Sequence, residues 1–413
     1  MQEMKDSGMI RLKYVVDIFG RIGFRGYTEQ DLVDENEGAI TLSPSNIQNM
    51  KMDYSKCSFL TWQKYYESPE IKIKNGDVLF VKTGSTYGKV GYVENLPMEA
   101  TINPQLVVFK NISMNSKLLF YMLQMSFVKD QCELAVVGGT IPTMSQVKIG
   151  NIYIPFPSLV EQQRIAEFLD RECGKIDGLK ADIQAQIDTL EQYKRSVITE
   201  AVTHGLNPSA PMKDSGIPWV GKTPEYWKVG RIGGLYELRN QKVSDKDFMP
   251  LSVTMKGILP QLETAAKTND GDNRKLVRMG DFAINSRSDR RGSCGISDYD
   301  GSVSLINTIL KPRNRMNAKY YNWLFHTPMF ADEFYKWGHG IVDDLWTTNW
   351  SEMKRISIPL PPLDEQQEIA DYLDNKCAEI EQIIADKKSQ IETLDGYKKS
   401  LIYEYVTGKK EVG

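Results

Sequence analysis

The sequence predicts two α/β (α+β) domains separated by two long helices that form an antiparallel coiled coil, with an internal pseudo-twofold repeat. Three features predict this fold: a gapless repeat, an apolar stripe with helical spacing late in each copy, and short apolar segments typical of strands earlier in each copy. A chain of 413 residues is also longer than a domain with a single hydrophobic core usually is. We therefore expect separate domains.

The repeat is clearest where IPFPSLVEQQRIAEFLD, starting at Ile154, matches IPLPPLDEQQEIADYLD, starting at Ile358. The offset between the copies is 204 residues (358 − 154). Fainter pairs keep this offset upstream, including Asn103 with Asn307. The repeat predicts a first variable domain at 1–153, a central helical spacer at 154–208, a second variable domain at 209–357 and a C-terminal helical spacer at 358–413.

The helical halves carry apolar residues at steps of three or four, which predicts one long amphipathic helix from Glu161 to His204 and a matching helix in the second copy. Such a stripe is typical of helices that pair as a coiled coil. The contact line between the two helices, called the seam, includes one polar position, because Lys387 of the second copy corresponds to Ile183 of the first. The stripe also includes Leu179, Tyr193, Ile383 and Tyr397. The predicted seam consists of Ile165, Leu169, Ile176, Ile183, Leu190, Val197, Ile369, Leu373, Ile380, Ile391, Leu394 and Leu401.

The earlier half of each copy has the pattern of a compact α/β domain. Residues 77–81 and 106–109 are predicted strands, and residues 116–128 a predicted helix. The Ile-Pro-x-Pro segments at 154–157 and 358–361 should each end a strand, because proline cannot donate to a ladder and fits well ahead of a helix.

The first domain contains a loop of glycines, hydroxyls, an aromatic ring and lysines at residues 82–91. This composition suits contacts with phosphates and bases. It is not a nucleotide-binding P-loop, because three residues separate its glycines and Val90 follows the lysine. The candidate DNA contacts here are Lys82, Thr83, Ser85, Tyr87 and Lys89.

The matching loop of the second domain is more basic and contains side chains that can engage base edges through two hydrogen bonds. Its candidates are Asn285, Ser286, Arg287, Arg290 and Arg291. Weaker candidates elsewhere are Arg21, Arg25, Thr140 and His339. Because the loops differ at matched positions, two readers of different sequences are a better interpretation than two ordinary solvated loops.

Several classes of chemistry have no pattern in this chain. The five cysteines are far apart and without CxxC spacing, which favours free thiols over a zinc site or disulfides. His339 lacks a nearby nucleophile and orienting carboxylate, and no glycine-rich methyltransferase motif is present. The net charge of −3 means that nucleic-acid contacts must come from local patches. With no apolar run long enough to span a bilayer and no signal peptide, the expected location is cytoplasmic, without a membrane partner.

Five segments together form a pattern typical of one protein family: GDVLFVKTG (76–84), GTIP (139–142), IPFP (154–157), EQQRIA (161–166) and KDSGIPW (213–219). Through these segments the chain resembles, along essentially its whole length, the specificity (S) subunits of type I restriction-modification systems. The first copy departs from the pattern after Gly8, where it lacks the Trp/Pro-rich insert that follows Gly216. The resemblance implies that the two variable domains are target-recognition domains.

The resemblance implies that each domain recognises one half of a split site in double-stranded DNA. It also implies that the helices set the spacing of the two halves and dock two DNA methyltransferase (M) subunits. The resemblance further implies methylation of adenine, with S-adenosylmethionine held by those partners and ATP and Mg held by additional restriction/translocase (R) subunits. The chain itself would hold no cofactor and catalyse no reaction.

Two other classes of function stay open at this stage. The chain could be a non-enzymatic scaffold adaptor with two peptide-binding domains on a coiled coil, or the helices could serve dimerisation alone. A stand-alone nuclease would depend on carboxylate and lysine fragments such as Glu70-Ile71-Lys72. DNA binding in the presence of a methyltransferase separates the first interpretation from a DNA specificity subunit, and metal-dependent cleavage by the purified chain would support the nuclease.

Overall fold

The structure, a computed structural model, describes residues 8–23, 26–35, 37–137, 141–261, 271–313, 316–340 and 346–412. It divides into two compact units, Met1–Ile183 with Ser389–Gly413, and Gln184–Lys388. Each unit combines one domain with a segment of both long helices. The boundary between the units lies inside the helices, so the division into four segments stays a prediction.

The first unit contains short strands and helices ahead of a long helix. Its strands are β1 (Met9–Arg11), β2 (Asp17–Gly20), β3 (Leu32–Val33), β4 (Gly38–Leu42), β5 (Ile47–Gln48), β6 (Lys51–Met52), β7 (Ser58–Thr61), β8 (Val78–Val81), β9 (Val90–Tyr92), β10 (Ala100–Ile102), β11 (Leu106–Lys110) and β12 (Tyr153–Pro155). Its helices are α1 (Trp62–Tyr66), α2 (Ser116–Met122), α3 (Ser126–Ala135), α4 (Gln146–Gly150) and the beginning of α5 (Leu159–His204).

The second unit repeats this plan and ends in the other long helix. Its strands are β13 (Met212–Ile217), β14 (Gly221–Pro224), β15 (Lys228–Arg231), β16 (Tyr236–Leu238), β17 (Lys242–Val243), β18 (Leu251–Thr254), β19 (Gly257–Pro260), β20 (Arg274–Val277), β21 (Phe282–Asn285), β22 (Cys294–Ile296), β23 (Gly301–Val303), β24 (Asn307–Pro312) and β25 (Ser357–Leu360). Its helices are α6 (Ile232–Leu235), α7 (Ala318–Phe325), α8 (Pro328–Lys336), α9 (Trp350–Met353) and the beginning of α10 (Leu363–Val406).

An antiparallel sheet carries the candidate loop in each domain. Its order is β2-β11-β8-β9 in the first unit and β16-β24-β21-β22 in the second. Strand β8 is buried on both faces: Val78 and Phe80 belong to the cluster that includes the helices, and Leu79 and Val81 to a separate cluster. The predicted strands at 77–81 and 106–109 are thus confirmed to within a residue, and continuous apolar runs are what two buried faces require.

Two sequence-based expectations about the domains are wrong. The segment predicted as one helix at 116–128 forms α2 and α3, which are separated at residues 123–125. Asn103 and Asn307 are not equivalent, because in the sheets Asn307 pairs with Asn285 whereas Leu106 pairs with Val81. The offset at this strand is therefore 201 (307 − 106), three residues fewer than in the helices.

In each unit the two long helices pack antiparallel and are joined by ion pairs. In the first unit Lys398 Nζ lies 2.8 Å from Asp177 Oδ1, and Lys180 pairs with Asp395. In the second unit Lys194 pairs with Glu381, and Lys387 donates to Gln186 at 2.5 Å. In every pair a higher number on α5 meets a lower number on α10. Among the described residues, no helix is long and apolar enough to cross a membrane.

All twelve residues of the predicted seam are buried or half-buried. The free cysteines Cys173 and Cys377 occupy equivalent seam positions, where burial raises the pKa of both thiols. Four residues of the apolar stripe instead face solvent, because the surface buried between the two helices is narrower than the stripe of apolar residues. Their exposed fractions are Leu179 52%, Tyr193 49%, Ile383 44% and Tyr397 57%.

We predict that Lys398→Met lowers the free energy of unfolding by about 1–3 kcal/mol, because a partly buried carboxylate loses its main charged hydrogen bond. Lys398 is 9% exposed, and among the described cations Asp177 would keep the longer contact to Lys51, at 3.6 Å. Urea unfolding followed by circular dichroism measures the change. The exposed neighbour Lys399→Met is the matched control, and an equal loss in both variants would contradict the role of the pair.

Candidate nucleic-acid interface

A short backbone ladder holds the candidate loop of the first domain. Thr83, which follows β8, forms a bridge with Thr143, and Thr143 forms a second bridge with Val137. Around Thr83, the Met144 N–H donates to the Lys82 carbonyl at 2.9 Å and the Gly84 N–H to the Pro142 carbonyl at 3.0 Å. The ladder therefore joins the end of β8 to a stretch of chain that lies 60 positions later (143 − 83) and pairs with itself through Val137 and Thr143.

The second domain builds the same ladder from other residues. Arg287 forms a bridge with Thr347, and Thr347 forms another with His339. The Thr348 N–H donates to the Ser286 carbonyl, and the Ser288 N–H to the Trp346 carbonyl, both at 3.0 Å. The structure thus brings together two predicted site residues, Arg287 and His339, that are 52 positions apart (339 − 287).

The two ladders share their backbone bonds but differ in side-chain chemistry. Thr83 and Arg287 take the same place, and so do Val137 and His339, whereas threonine occupies the central position in both. A repeated backbone with variable side chains fixes where groups are presented while leaving their hydrogen-bonding pattern free to differ. That arrangement can discriminate between two chemically different targets.

The loop of the first domain presents polar groups beside the ladder. Thr83 Oγ1 and Thr143 Oγ1 lie 2.6 Å apart, and Ser85 is exposed. The chain turns back at Gly84, where φ is +106°, a conformation that disfavours residues with a side chain. Tyr87 and Lys89 are half-buried, and Lys89 Nζ lies 3.4 Å from the Pro44 carbonyl oxygen.

Lys82 is a half-buried ammonium group next to the ladder. Burial lowers the pKa of Lys82, because removal of water disfavours the charged form. Within the part of the chain that the structure describes, Lys82 forms no ion pair with a carboxylate. A phosphate oxygen would supply the missing negative charge.

We predict that Lys82→Met weakens DNA binding similarly for all duplex sequences. One phosphate contact fewer should also reduce the slope of log affinity against log salt concentration by about 1. Fluorescence anisotropy of the complex with its methyltransferase, repeated at several salt concentrations, gives both quantities. A variant that loses affinity for one sequence only would show that Lys82 contacts a base instead.

The arginines of the second loop are held to different degrees. Arg287 has a side chain that is 33% exposed, with Nε 3.4 Å from Asp289 Oδ1, and Arg290 is 68% exposed. Arg291 pairs with Asp332 and lies over the Tyr335 ring at 5.6 Å. The Arg291 side chain is 53% exposed despite its ion pair, so Arg290 is the most accessible of the three arginines and Arg287 the least.

Three predicted DNA contacts, Arg21, Asn285 and Ser286, are buried and form hydrogen bonds within the protein. Arg21 is 5% exposed and donates to the Ile102 carbonyl and to Thr101 Oγ1, both at 3.0 Å. Asn285 accepts the Arg287 N–H at 3.0 Å, and Ser286 Oγ lies 2.8 Å from Thr308 Oγ1. These bonds hold the loops in place but leave the side chains little access to a groove.

The remaining predicted contacts divide into described and undescribed residues. His339 is exposed, whereas Arg25 and Thr140 lie outside the described residues. Sequence analysis missed Thr143 and Thr347, the central residues of the two ladders. These two threonines keep the 204-residue offset (347 − 143), which is the signal that could have identified them.

Comparison with known proteins agrees with this architecture. The family model described as the type I restriction modification DNA specificity domain matches residues 24–189 and again 224–393. A solved structure entitled "Structural basis underlying complex assembly and conformational transition of the type I R-M system" superposes with a TM-score of 0.68 at 16% identity. The superposition covers 96% of this chain and 97% of that one. At this identity the match shows the fold alone.

Curated relatives extend the similarity over most of the chain. The type I restriction enzyme MjaVIII specificity subunit of Methanocaldococcus jannaschii is 25% identical, covering 83% of this chain and 81% of the relative. The putative MjaX specificity subunit of the same organism is 24% identical, covering 89% and 86% respectively. With two matched regions that span most of its length, this chain belongs to the family of type I restriction-modification DNA specificity subunits and carries two copies of the family's domain.

Proposed function

We propose that each domain recognises one half of a bipartite site in double-stranded DNA and that the chain directs a methyltransferase to that site. The observation that carries this proposal is the repeated ladder. One backbone arrangement presents Thr83 and Val137 in the first domain, and Arg287 and His339 in the second. Two different half-sites are the expected target of such a pair, because arginine can bind guanine through two hydrogen bonds and threonine cannot.

The long helices are proposed to set the distance between the half-sites. A helix of 46 residues, such as α5, extends for about 69 Å at a rise of about 1.5 Å per residue. Paired helices of this length are stiff compared with a loop. The number of base pairs between the half-sites would then be fixed, whereas their sequence would not be recognised.

The exposed residues of the apolar stripe support docking of methyltransferase subunits, one on each unit. Leu179 and Tyr397 are exposed in the first unit, and Ile383 and Tyr193 are exposed at the equivalent positions of the second. Leu179 and Tyr397 lie at the same level of the antiparallel helices. Leu179 is next to Lys180, Tyr397 is close to Asp395, and Lys180 and Asp395 form an ion pair. Solvent-exposed apolar groups repeated in both copies are typical of protein interfaces.

We propose the chemistry of the complex as follows. The chain is a non-catalytic subunit, and the methyltransferase subunits hold S-adenosylmethionine. Restriction/translocase subunits, where they join, supply ATP and Mg chemistry. Because the target is cellular DNA, the proposed place of action is the cytoplasm.

Long-read sequencing of methylated adenines in cells that express the chain with its methyltransferase tests the proposal. The expected result is one motif of two defined halves separated by unspecified bases. An exchange of residues 285–293 for the loop of a relative should change one half alone. A single uninterrupted motif contradicts the proposal, and binding to peptides with no effect on DNA would favour a scaffold adaptor.

A further inference from the structure

The two glutamines of each Glu-Gln-Gln motif lie where a domain meets its long helix. Gln162 and Gln366 are 1% and 4% exposed, although they are polar and belong to the first turns of α5 and α10. Buried amides require hydrogen-bond partners, because an unpaired polar group in the interior is costly. Their partners show what they join.

In the first unit Gln162 connects three elements. Its Oε1 accepts the Asn115 N–H at 2.9 Å, and its Nε2 donates to the Pro157 carbonyl at 3.0 Å. Asn115 caps α2 by accepting the Leu118 N–H, and its Nδ2 donates to Gln163 Oε1 at 2.8 Å. The beginning of α2 is thereby fixed to the beginning of α5.

The second unit repeats every one of these bonds. Gln366 Oε1 accepts the Asn317 N–H at 2.9 Å, and Nε2 donates to the Pro361 carbonyl at 2.8 Å. Asn317 accepts the Tyr320 N–H and donates from Nδ2 to Gln367 Oε1 at 2.7 Å. The offset is 204 for the glutamines but 202 for the asparagines (317 − 115), so the joint is kept although the domain sequence has shifted by two residues.

We infer that Gln162 and Gln366 are positioning residues that hold each domain at a fixed angle on its helix. They would thereby make the complex selective for one DNA spacer, meaning one number of base pairs between the two half-sites. The inference rests on the proposed function, because the long helices can set the distance between two half-sites only if the domains do not rotate on the helices. Apolar contacts such as those of Ile165 and Ile369 hold the domains against the helices but are non-directional. The glutamine bonds are directional and fix the rotation and register of α2 and α7.

Gln162→Met and Gln366→Met test the inference, because methionine has a similar volume but forms neither bond. Each variant, co-expressed with the methyltransferase, should keep both half-site sequences. Methylation at sites whose spacer is one base pair longer or shorter should rise about tenfold relative to the cognate site, a change that corresponds to about 1.4 kcal/mol. Gln367→Met, which among the bonds of this joint removes only the exposed one from Asn317 Nδ2 to Gln367 Oε1, should lie between the wild type and Gln366→Met.

Gln184→Met and Gln382→Met are matched controls, because these exposed glutamines donate only to Asp188 and Asp386 within their own helices. The controls should retain the original spacer. An unchanged spacer distribution in Gln162→Met and Gln366→Met overturns the inference, and so does broadening in the controls. A wild-type complex that methylates no bipartite site would instead contradict the proposed function. If Gln366→Met fails to fold, Gln162→Met and Gln367→Met decide: an unchanged DNA spacer in both overturns the inference.

Discussion

Insertion of four residues after Ile183 together with four after Lys388 is expected to abolish methylation of the original site and create a new one. The new site should have the same two half-sites and a longer spacer. Four helical residues add about 6 Å, and one base pair of DNA occupies about 3.4 Å along the axis, so the spacer should grow by about two base pairs. Methylated adenines mapped across the genome report both the loss and the gain.

The positions of the insertions follow from the ion pairs. Lys180 with Asp395 and Lys398 with Asp177 lie in the first unit, whereas Lys194 pairs with Glu381 inside the second. Both insertions fall at the boundary between the units, after Ile183 and after Lys388. Every pair within a unit therefore keeps its register, which a single insertion in one helix would not allow.

A paired insertion of seven residues is the control for rotation. Four residues turn an α-helix by about 400°, which leaves a rotation of about 40°, whereas seven residues restore the seam of a coiled coil and add about 10.5 Å. We expect the seven-residue variant to add about three base pairs. Either variant contradicts the proposal that helix length sets the DNA spacer, if the variant folds, methylates DNA and keeps the original spacer.

The helices were predictable from sequence because their signal is local. An apolar residue every three or four positions defines α5 and α10 without knowledge of the partner, and the proline segments mark where β12 and β25 end. Which stripe residues face the partner was less predictable. Leu179 and Ile383 share the spacing of seam residues yet are exposed, because the width of a seam depends on how the helices pack.

The ladders could not be located in the same way. The bridge between Thr83 and Thr143 joins residues 60 positions apart (143 − 83), and no local pattern encodes which strand ends meet. Residue type alone also did not predict burial, because Arg21 and Asn285 are polar but buried, and both form hydrogen bonds with backbone groups. The break between α2 and α3 lacks proline and glycine, so its cause is tertiary packing.

Arg287→Ala is expected to change recognition at only one of the two half-sites. The ladder bonds of this residue are made by its backbone, so alanine should leave the bridge with Thr347 intact. Removal of a guanidinium that binds a guanine through two bonds costs about 1–3 kcal/mol, or about 5- to 150-fold in affinity. The loss should be confined to the second half-site and largest at one base pair.

Thr83→Ala, at the equivalent position of the first domain, separates base recognition from general binding. It should relax the first half-site and leave the second unchanged, the reverse of Arg287→Ala. Affinities for duplexes randomised at one position at a time, measured for the complex with the methyltransferase, resolve the two patterns. If Arg287→Ala weakens binding equally at every sequence and lowers the salt slope by about 1, its guanidinium contacts a phosphate. Recognition in the second domain would then come from other side chains beside the ladder, with the exposed His339 the first to test.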